Sequence, residues 1–217
     1  MTILGGSTPA ASERLGIFHL AADGRQGYNR AQSEGVKTMT VIYGVKGEDG
    51  RALDWPLLEL AVREHWGWTV LPPVERSSRG KPFFTGLADR WFSLSHSGGI
   101  ALCALSRAPV GVDVELMRPR RKTLPDYVLS ESERAGFDGT WEDFYRLWTL
   151  KESWCKREDT PLFPPREVPA PPPCPHKSYA GEGWRAAVCC GDEPPREILW
   201  RSAGELPLRP ARDYDMI

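Results

Sequence analysis

Hydrophobic positions fall into short blocks along this chain, and their spacing alternates between the two-residue period of strands and the 3.6-residue period of helices. Thr40 to Val45 is short and β-branched and predicts a buried strand, with Lys46 to Gly50 as the turn that follows. Leu57, Leu58, Ala61, Val62 and His65 sit at core-facing positions of a helix running to about Trp66. Asp54 is its expected cap, with Pro56 in its first turn. Leu71 to Phe84 reads as extended or irregular around Pro72-Pro73 and Gly80-Lys81-Pro82. Arg90 to Gly99 predicts a strand running into a small polar turn, and Ile100 to Leu105 a second, buried strand. From Val110 to Leu116 polar and apolar residues alternate, as on a third strand. Ser130-Glu131-Ser132-Glu133 is a capping box that opens a short helix to about Phe137. Gly139-Thr140 with Asp143 then opens a long helix through Lys156. On it Tyr145, Trp148, Glu152 and Lys156 form one stripe, with Leu147, Leu150 and Trp154 opposite. A helix apolar on two sides is central to a fold. Trp184 to Cys190 predicts a late buried strand that echoes Ile100 to Leu105, and Glu197 to Trp200 an edge strand.

Between the long helix and that late strand, eight of the residues from Thr160 to Pro175 are proline, which makes a stiff connector without regular structure. Residues 1–38 show no sustained period and read as a flexible extension, with Met39 as an alternative start. The patterned chain divides into an N-terminal half over 39–109, a C-terminal half over 110–205 and a mobile tail over 206–217.

Composition narrows the function classes. Charge is balanced, with 28 basic and 29 acidic residues, which argues against a general nucleic-acid or membrane-surface binder. Five cysteines form no C-x-x-C pair, which fits reduced thiols and the cytoplasm better than a disulfide framework or zinc site. No apolar run approaches the roughly 20 residues of a membrane span. Leu15 to Ala22 makes a poor signal peptide because His19 interrupts it.

The candidate chemistry is acidic. Strand alternation puts Asp113 and Glu115 on one face, where two carboxylates repel unless a cation neutralises them or one takes up a proton. Oxygen-only ligands favour magnesium, with manganese as the alternative, over zinc. Glu152 and Lys156, four residues apart, stack on one helical face. Taken alone they read as a surface salt bridge, but a charged pair on a central helix costs free energy unless each member has a partner. Ser95-His96-Ser97 before Gly98-Gly99 offers hydroxyls, an imidazole and backbone N–H groups to an anion. Lys81 sits on a tight nonhelical turn, and Arg51 ahead of the first helix is a candidate phosphate partner. Arg118, Arg120, Arg121 and Lys122 form a basic loop, too small to argue for DNA.

In combination, Gly80-Lys81-Pro82, Ser95-His96-Ser97, Gly111-Val112-Asp113-Val114-Glu115 and Trp148-Thr149-Leu150-Lys151-Glu152-Ser153-Trp154-Cys155-Lys156 resemble the 4′-phosphopantetheinyl transferases of the surfactin-synthetase type. The resemblance runs from about Gly80 to Lys156 and recurs more faintly around Trp184 to Cys190. It implies an α+β fold of two similar halves, each a small antiparallel sheet with a long helix, with the site between them. It implies transfer of the phosphopantetheine arm of coenzyme A to a serine of an apo acyl or peptidyl carrier protein, by a monomer. Adenosine 3′,5′-bisphosphate would be the other product. Asp113, Glu115 and Glu152 would ligate magnesium, and Lys156 would meet the pyrophosphate. Lys81, Ser95, His96 and Arg51 would hold the nucleotide and its phosphates. Glu152 is the candidate base, with Asp113 and Lys156 completing the catalytic set. Lys151 receives no chemical role. The basic helix that grips the 3′-phosphate in the family is not evident here, since only about 40 residues separate Met39 from Gly80. The competing readings are a catalytically degenerate carrier-binding module and another magnesium-dependent phosphoryl enzyme, the latter without a P-loop pattern to support it.

Overall fold

A computed structural model describes residues 40–207; the expected extension over 1–38, the weak signal-peptide segment and positions 208–217 of the expected tail lie outside the described residues. The first half opens with β1 (Val41–Lys46) and α1 (Gly50–Trp66). A small hairpin of β2 (Val74–Arg76) and β3 (Pro82–Phe84) follows, then β4 (Trp91–Ser97) and β5 (Ile100–Ser106). The second half opens with β6 (Gly111–Leu116), passes through the short helices α2 (Leu124–Val128) and α3 (Glu131–Gly136), and reaches α4 (Trp141–Glu158). It continues with β7 (His176–Gly181) and β8 (Trp184–Cys189), after which β9 (Leu199–Arg201) ends the strand order.

The fold is α+β, and the two halves share one topology. In each, a strand leads to a long helix and then to two further strands, the last of which takes the central place. The first sheet runs β4-β5-β1 and the second β7-β8-β6, all antiparallel. The likeness between Ile100–Leu105 and Trp184–Cys190 is thus the likeness of the two central strands. β9 departs from the repeat: it crosses back to pair in parallel with β1, at the free edge of the first sheet.

Side-chain alternation sorts the strands into layers. Tyr43, Val45, Ala101, Cys103 and Leu105 face the apolar side of α1, where Leu57, Leu58, Ala61 and Val62 are buried. The opposite face, Ile42, Ile100, Leu102 and Ala104, packs against Val112, Val114, Ala186 and Val188 of the second sheet. Beyond that sheet, Ala187 meets α4 through Phe144, Leu147 and Leu150. The order is therefore α1, first sheet, second sheet, α4. Burying both faces of both sheets makes β5 and β8 continuous apolar runs, as their sequences predict.

Local signals explain most boundaries. Thr140 caps α4 by accepting from the Asp143 N–H, and Ser130 with Glu133 forms the expected capping box of α3. The expected start of α1 is corrected. Asp49, not Asp54, is the N-cap, its carboxylate accepting from the Arg51 N–H. Pro56 consequently lies inside the helix, where it offers no N–H to the carbonyl four residues back. Asp54 is thereby freed for the cavity.

The proline-rich connector is held by one buried cation. Lys151 is fully buried on α4, and its ammonium donates to Glu133 Oε1 at 2.8 Å and to the carbonyl of Pro165 at 3.0 Å. It also donates to the carbonyl of Val168. Glu133 in turn accepts from the Ala170 N–H at 2.9 Å. An otherwise costly buried lysine is thus fully hydrogen-bonded, and it ties α3, α4 and the connector together.

Candidate functional site

The candidate residues meet at the corner where β4 of the first sheet runs beside β6 of the second. Alternation on β4 turns Phe92, Leu94 and His96 toward α1, and Ser93, Ser95 and Ser97 toward β6. The two strands do not pair through their backbones. Instead the hydroxyls of Ser93, Ser95 and Ser97 accept from the N–H groups of Val112, Val114 and Leu116 at 3.1, 3.2 and 3.0 Å. On the face of β6 away from the inter-sheet core stand Asp113 and Glu115.

Gly111 sets how close α4 approaches that face. A Cβ added there would lie 2.0 Å from the carbonyl oxygen of Ser153 and 2.5 Å from the backbone nitrogen of Arg157. Only glycine lets helix and strand come this near. The approach brings Glu152 to the two strand acids, with one carboxylate oxygen from each of Asp113, Glu115 and Glu152 lying within 4.8 Å of the others. Lys156 Nζ donates to Asp113 Oδ1 at 2.7 Å and to Ser95 Oγ at 2.8 Å. Ser95 Oγ donates to Asp113 Oδ1 at 2.9 Å, and Ser97 Oγ to Glu115 Oε2 at 3.0 Å. Lys156 thus pairs with Asp113 rather than with Glu152, its neighbour one turn earlier.

The electrostatics are those of an anion-rich cluster. Burial raises the Glu152 carboxyl to about 8, and the nearby charges of Asp113 and Glu115 push the same way. Burial and Asp113 also raise Glu115, against the hydrogen bonds of Ser97 and Trp148. Burial opposes the charge on Lys156, but Asp113 and Glu152 together outweigh it and raise the ammonium. Three carboxyl groups share one ammonium, so their full ionisation would leave an excess of negative charge. Asp113 Oδ2 is moreover buried without a hydrogen-bond partner. A hard divalent cation fits this donor set: it would satisfy the orphaned oxygen and neutralise the excess.

The acids line a cavity of about 260 Å³ whose walls also include Asp54, His96 and Lys156. His96 Nδ1 lies 2.7 Å from Asp54 Oδ2 on α1. A second cavity, of about 310 Å³, shares Glu152 and Lys156 and adds Gly80, Lys81 and Thr160. Lys81 Nζ lies 3.3 Å from the carbonyl of Arg157 and 3.4 Å from that of Val110, near the C-terminal end of α4. Burial lowers this ammonium to about 8.

The structure therefore brings together Asp113, Glu115, Glu152, Lys156, Ser95 and His96, with Lys81 in the adjoining wall. Arg51 stands apart, exposed as the second residue of α1 rather than ahead of the helix, and outside both cavity linings. The polar turn expected over Ser95 to Gly99 is smaller than its sequence suggests. Ser95, His96 and Ser97 are ladder residues opposite Leu102, Ala101 and Ile100, and only Gly98-Gly99 turn, Gly98 with φ of 55°. The candidate groups these residues bring to the site are their side chains. Asp54 and the partnership of Ser97 with Glu115 were missed. The S-x-S-x-S alternation over Ser93 to Ser97 is the sequence signal for the second, whereas nothing local in the sequence signals Asp54.

Comparison with known proteins agrees with this geometry. A family model described as the 4′-phosphopantetheinyl transferase superfamily matches residues 109–172, the stretch holding all three acids and Lys156. The chain is similar to the 4′-phosphopantetheinyl transferase Sfp of Bacillus subtilis (strain 168), at 31% identity over 150 residues covering 58% of this chain and 67% of that protein. It is also similar to the 4′-phosphopantetheinyl transferase AcpT of Escherichia coli (strain K12), at 39% identity over 95 residues covering 40% of this chain and 49% of that protein. The 4′-phosphopantetheinyl transferase gsp of Aneurinibacillus migulanus is 30% identical over 108 residues, 45% of each chain. On these grounds the chain belongs to the 4′-phosphopantetheinyl transferase superfamily.

Proposed function

We propose that this protein transfers the 4′-phosphopantetheine moiety of coenzyme A to a serine hydroxyl of an apo acyl or peptidyl carrier protein, releasing adenosine 3′,5′-bisphosphate. The observation that carries this reading is the convergence of Asp113, Glu115 and Glu152 within 4.8 Å, in a chain similar to proteins named for that transfer.

Asp113, Glu115 and Glu152 are the residues that would hold magnesium. When bound, the cation supplies charge neutralisation at the pyrophosphate and polarises the phosphoryl group under attack. The chain's own groups do the rest. Lys156, already oriented by Asp113 and Ser95, offers its remaining N–H to a pyrophosphate oxygen. His96, held by Asp54, and Lys81 in the neighbouring cavity wall bind the nucleotide and its phosphates. Arg51 would join them from the exposed start of α1. The serine oxygen bonds to the phosphorus that carries the pantetheine arm. The bond from that phosphorus to the bridging oxygen breaks, and the bisphosphate departs with the electron pair. Glu152 is the candidate acceptor of the serine proton, because it alone of the three acids faces both cavities. The five cysteines, which fit reduced thiols, support the cytoplasm as the proposed compartment.

The test is to incubate the protein with coenzyme A, magnesium and an apo carrier protein, then weigh the carrier. A gain of one phosphopantetheine group is expected, abolished by chelating the metal. No gain with carriers of fatty acid, polyketide or peptide synthesis, while carrier binding persists, would favour the degenerate binding module. Glu152→Gln is expected to lower turnover about 100-fold or more. A variant that binds magnesium and coenzyme A normally and turns over at full rate would remove Glu152 as the base.

A further inference from the structure

The serine ladder between β4 and β6 does more than join the two halves. Each of its hydroxyls accepts from a backbone N–H of β6, so an acceptor lone pair is committed and the hydroxyl proton turns elsewhere. For Ser95 and Ser97 that proton reaches a carboxylate, Asp113 Oδ1 at 2.9 Å and Glu115 Oε2 at 3.0 Å. For Ser93, one pleat earlier, the neighbour on β6 is the glycine of the close helix contact, and among the described residues its hydroxyl takes part only in the hydrogen bond from the Val112 N–H. Ser95 also receives Lys156, so its role is mixed with that of the ammonium. Ser97 is the clean case: one backbone donor, one carboxylate acceptor, and no place in the reaction as derived above.

We propose that Ser97 is a positioning residue for the cation site: the backbone of β6 fixes its hydroxyl, which donates to Glu115 Oε2 and, together with the hydrogen bond from Trp148, holds that carboxylate beside Asp113 and Glu152. Groups that hydrogen-bond a ligating carboxylate fix its orientation, and their loss commonly costs 10–100-fold in metal affinity. The alternate serines of β4 thus register the two halves of the protein and orient the acids of one half from the other. The proposal rests on the reading that these acids bind a divalent cation.

Ser93→Ala supplies an internal control, since it removes the same kind of backbone acceptor without removing a hydrogen bond to an acid. Mn²⁺ is titrated calorimetrically into wild type, Ser93→Ala, Ser97→Ala and Ser97→Thr, each with and without coenzyme A, and thermal unfolding of each is recorded. Ser97→Ala is expected to raise the Mn²⁺ dissociation constant about tenfold. Ser97→Thr, which keeps the hydroxyl, is expected to remain within about threefold of wild type, and Ser93→Ala within about twofold despite a comparable loss of thermal stability. Equal affinities for wild type and Ser97→Ala overturn the proposal, as does an equal loss in Ser93→Ala. A wild-type protein that binds no Mn²⁺ overturns the cation reading itself, which is a distinguishable result.

Discussion

Lys151 and Lys156 lie five residues apart on α4, which turns them to different sides of the helix, and their environments differ accordingly. Lys151 points into the protein, where Glu133 and two connector carbonyls take its three hydrogens. It supports the helix without facing the cavity, which accounts for a signature residue that has no chemical role by sequence alone. Lys156 points at the acids. Lys81 is a third case, because burial without a nearby carboxylate hydrogen bond lowers its ammonium to about 8. Its sign is clear. Between about pH 8 and 10.5 the unfolded chain holds a proton that the folded chain has lost, so this group adds stability as pH rises and withdraws it as pH falls through 8. Urea unfolding of wild type and Lys81→Met at pH 7.5 and pH 10 checks this. The stability difference is expected to move in favour of wild type by about 1 kcal/mol or more on going to the higher pH. A difference that stays constant would place the lysine in a water-like environment.

Pairs of elements, rather than single residues, decide the geometry of the acids. β6 presents Asp113 and Glu115 by simple alternation, and α4 presents Glu152 by its stripe, but the distance between them is set by the contact at Gly111. Gly111→Ala forces a methyl group into the backbone of α4 at Ser153 and Arg157. The expected cost is about 1–3 kcal/mol of stability, together with a much larger fall in transfer rate, because the helix must move off the strand and carry Glu152 with it. A variant with normal activity would show that the acids tolerate a wider gap than this one. Much of this level was legible in the sequence. The long helix, the alternating acidic strand and the two buried central strands all follow from their apolar periods, whereas the expected central place of that helix does not hold: α4 forms an outer layer against the second sheet. The start of α1 was not, because Asp49 and Asp54 are both acceptable caps and only the turn after β1 selects the first.

Across the whole molecule, the last strand ties the second half back onto the first. β9 covers the free edge of β1, Ile198 is buried in the inter-sheet core, and Leu206, which the sequence assigns to a mobile tail, is buried against the α1 core. A chain ending at Pro195 is expected to lose several kcal/mol of stability, since each of those apolar side chains contributes about 2 kcal/mol by burial. It should also aggregate through the exposed edge of β1. Circular dichroism melting and light scattering test this, and an unchanged melting temperature would contradict it. The duplicated topology places each half's long helix on an outer face, so the site forms only where the edges β4 and β6 meet.

From the sequence alone came the candidate chemistry: three carboxylates and a lysine in motifs whose order resembles one enzyme family. Local periodicity was sufficient because each acid's facing is a property of its own strand or helix. Tertiary structure decided the partners. Asp54 meets His96 across 42 positions, Lys156 meets Asp113 across 43, and Ser97 meets Glu115 across 18. No local pattern encodes such pairings, because they depend on how two sheets and two helices stack, and stacking is driven by buried apolar area that is nondirectional in itself.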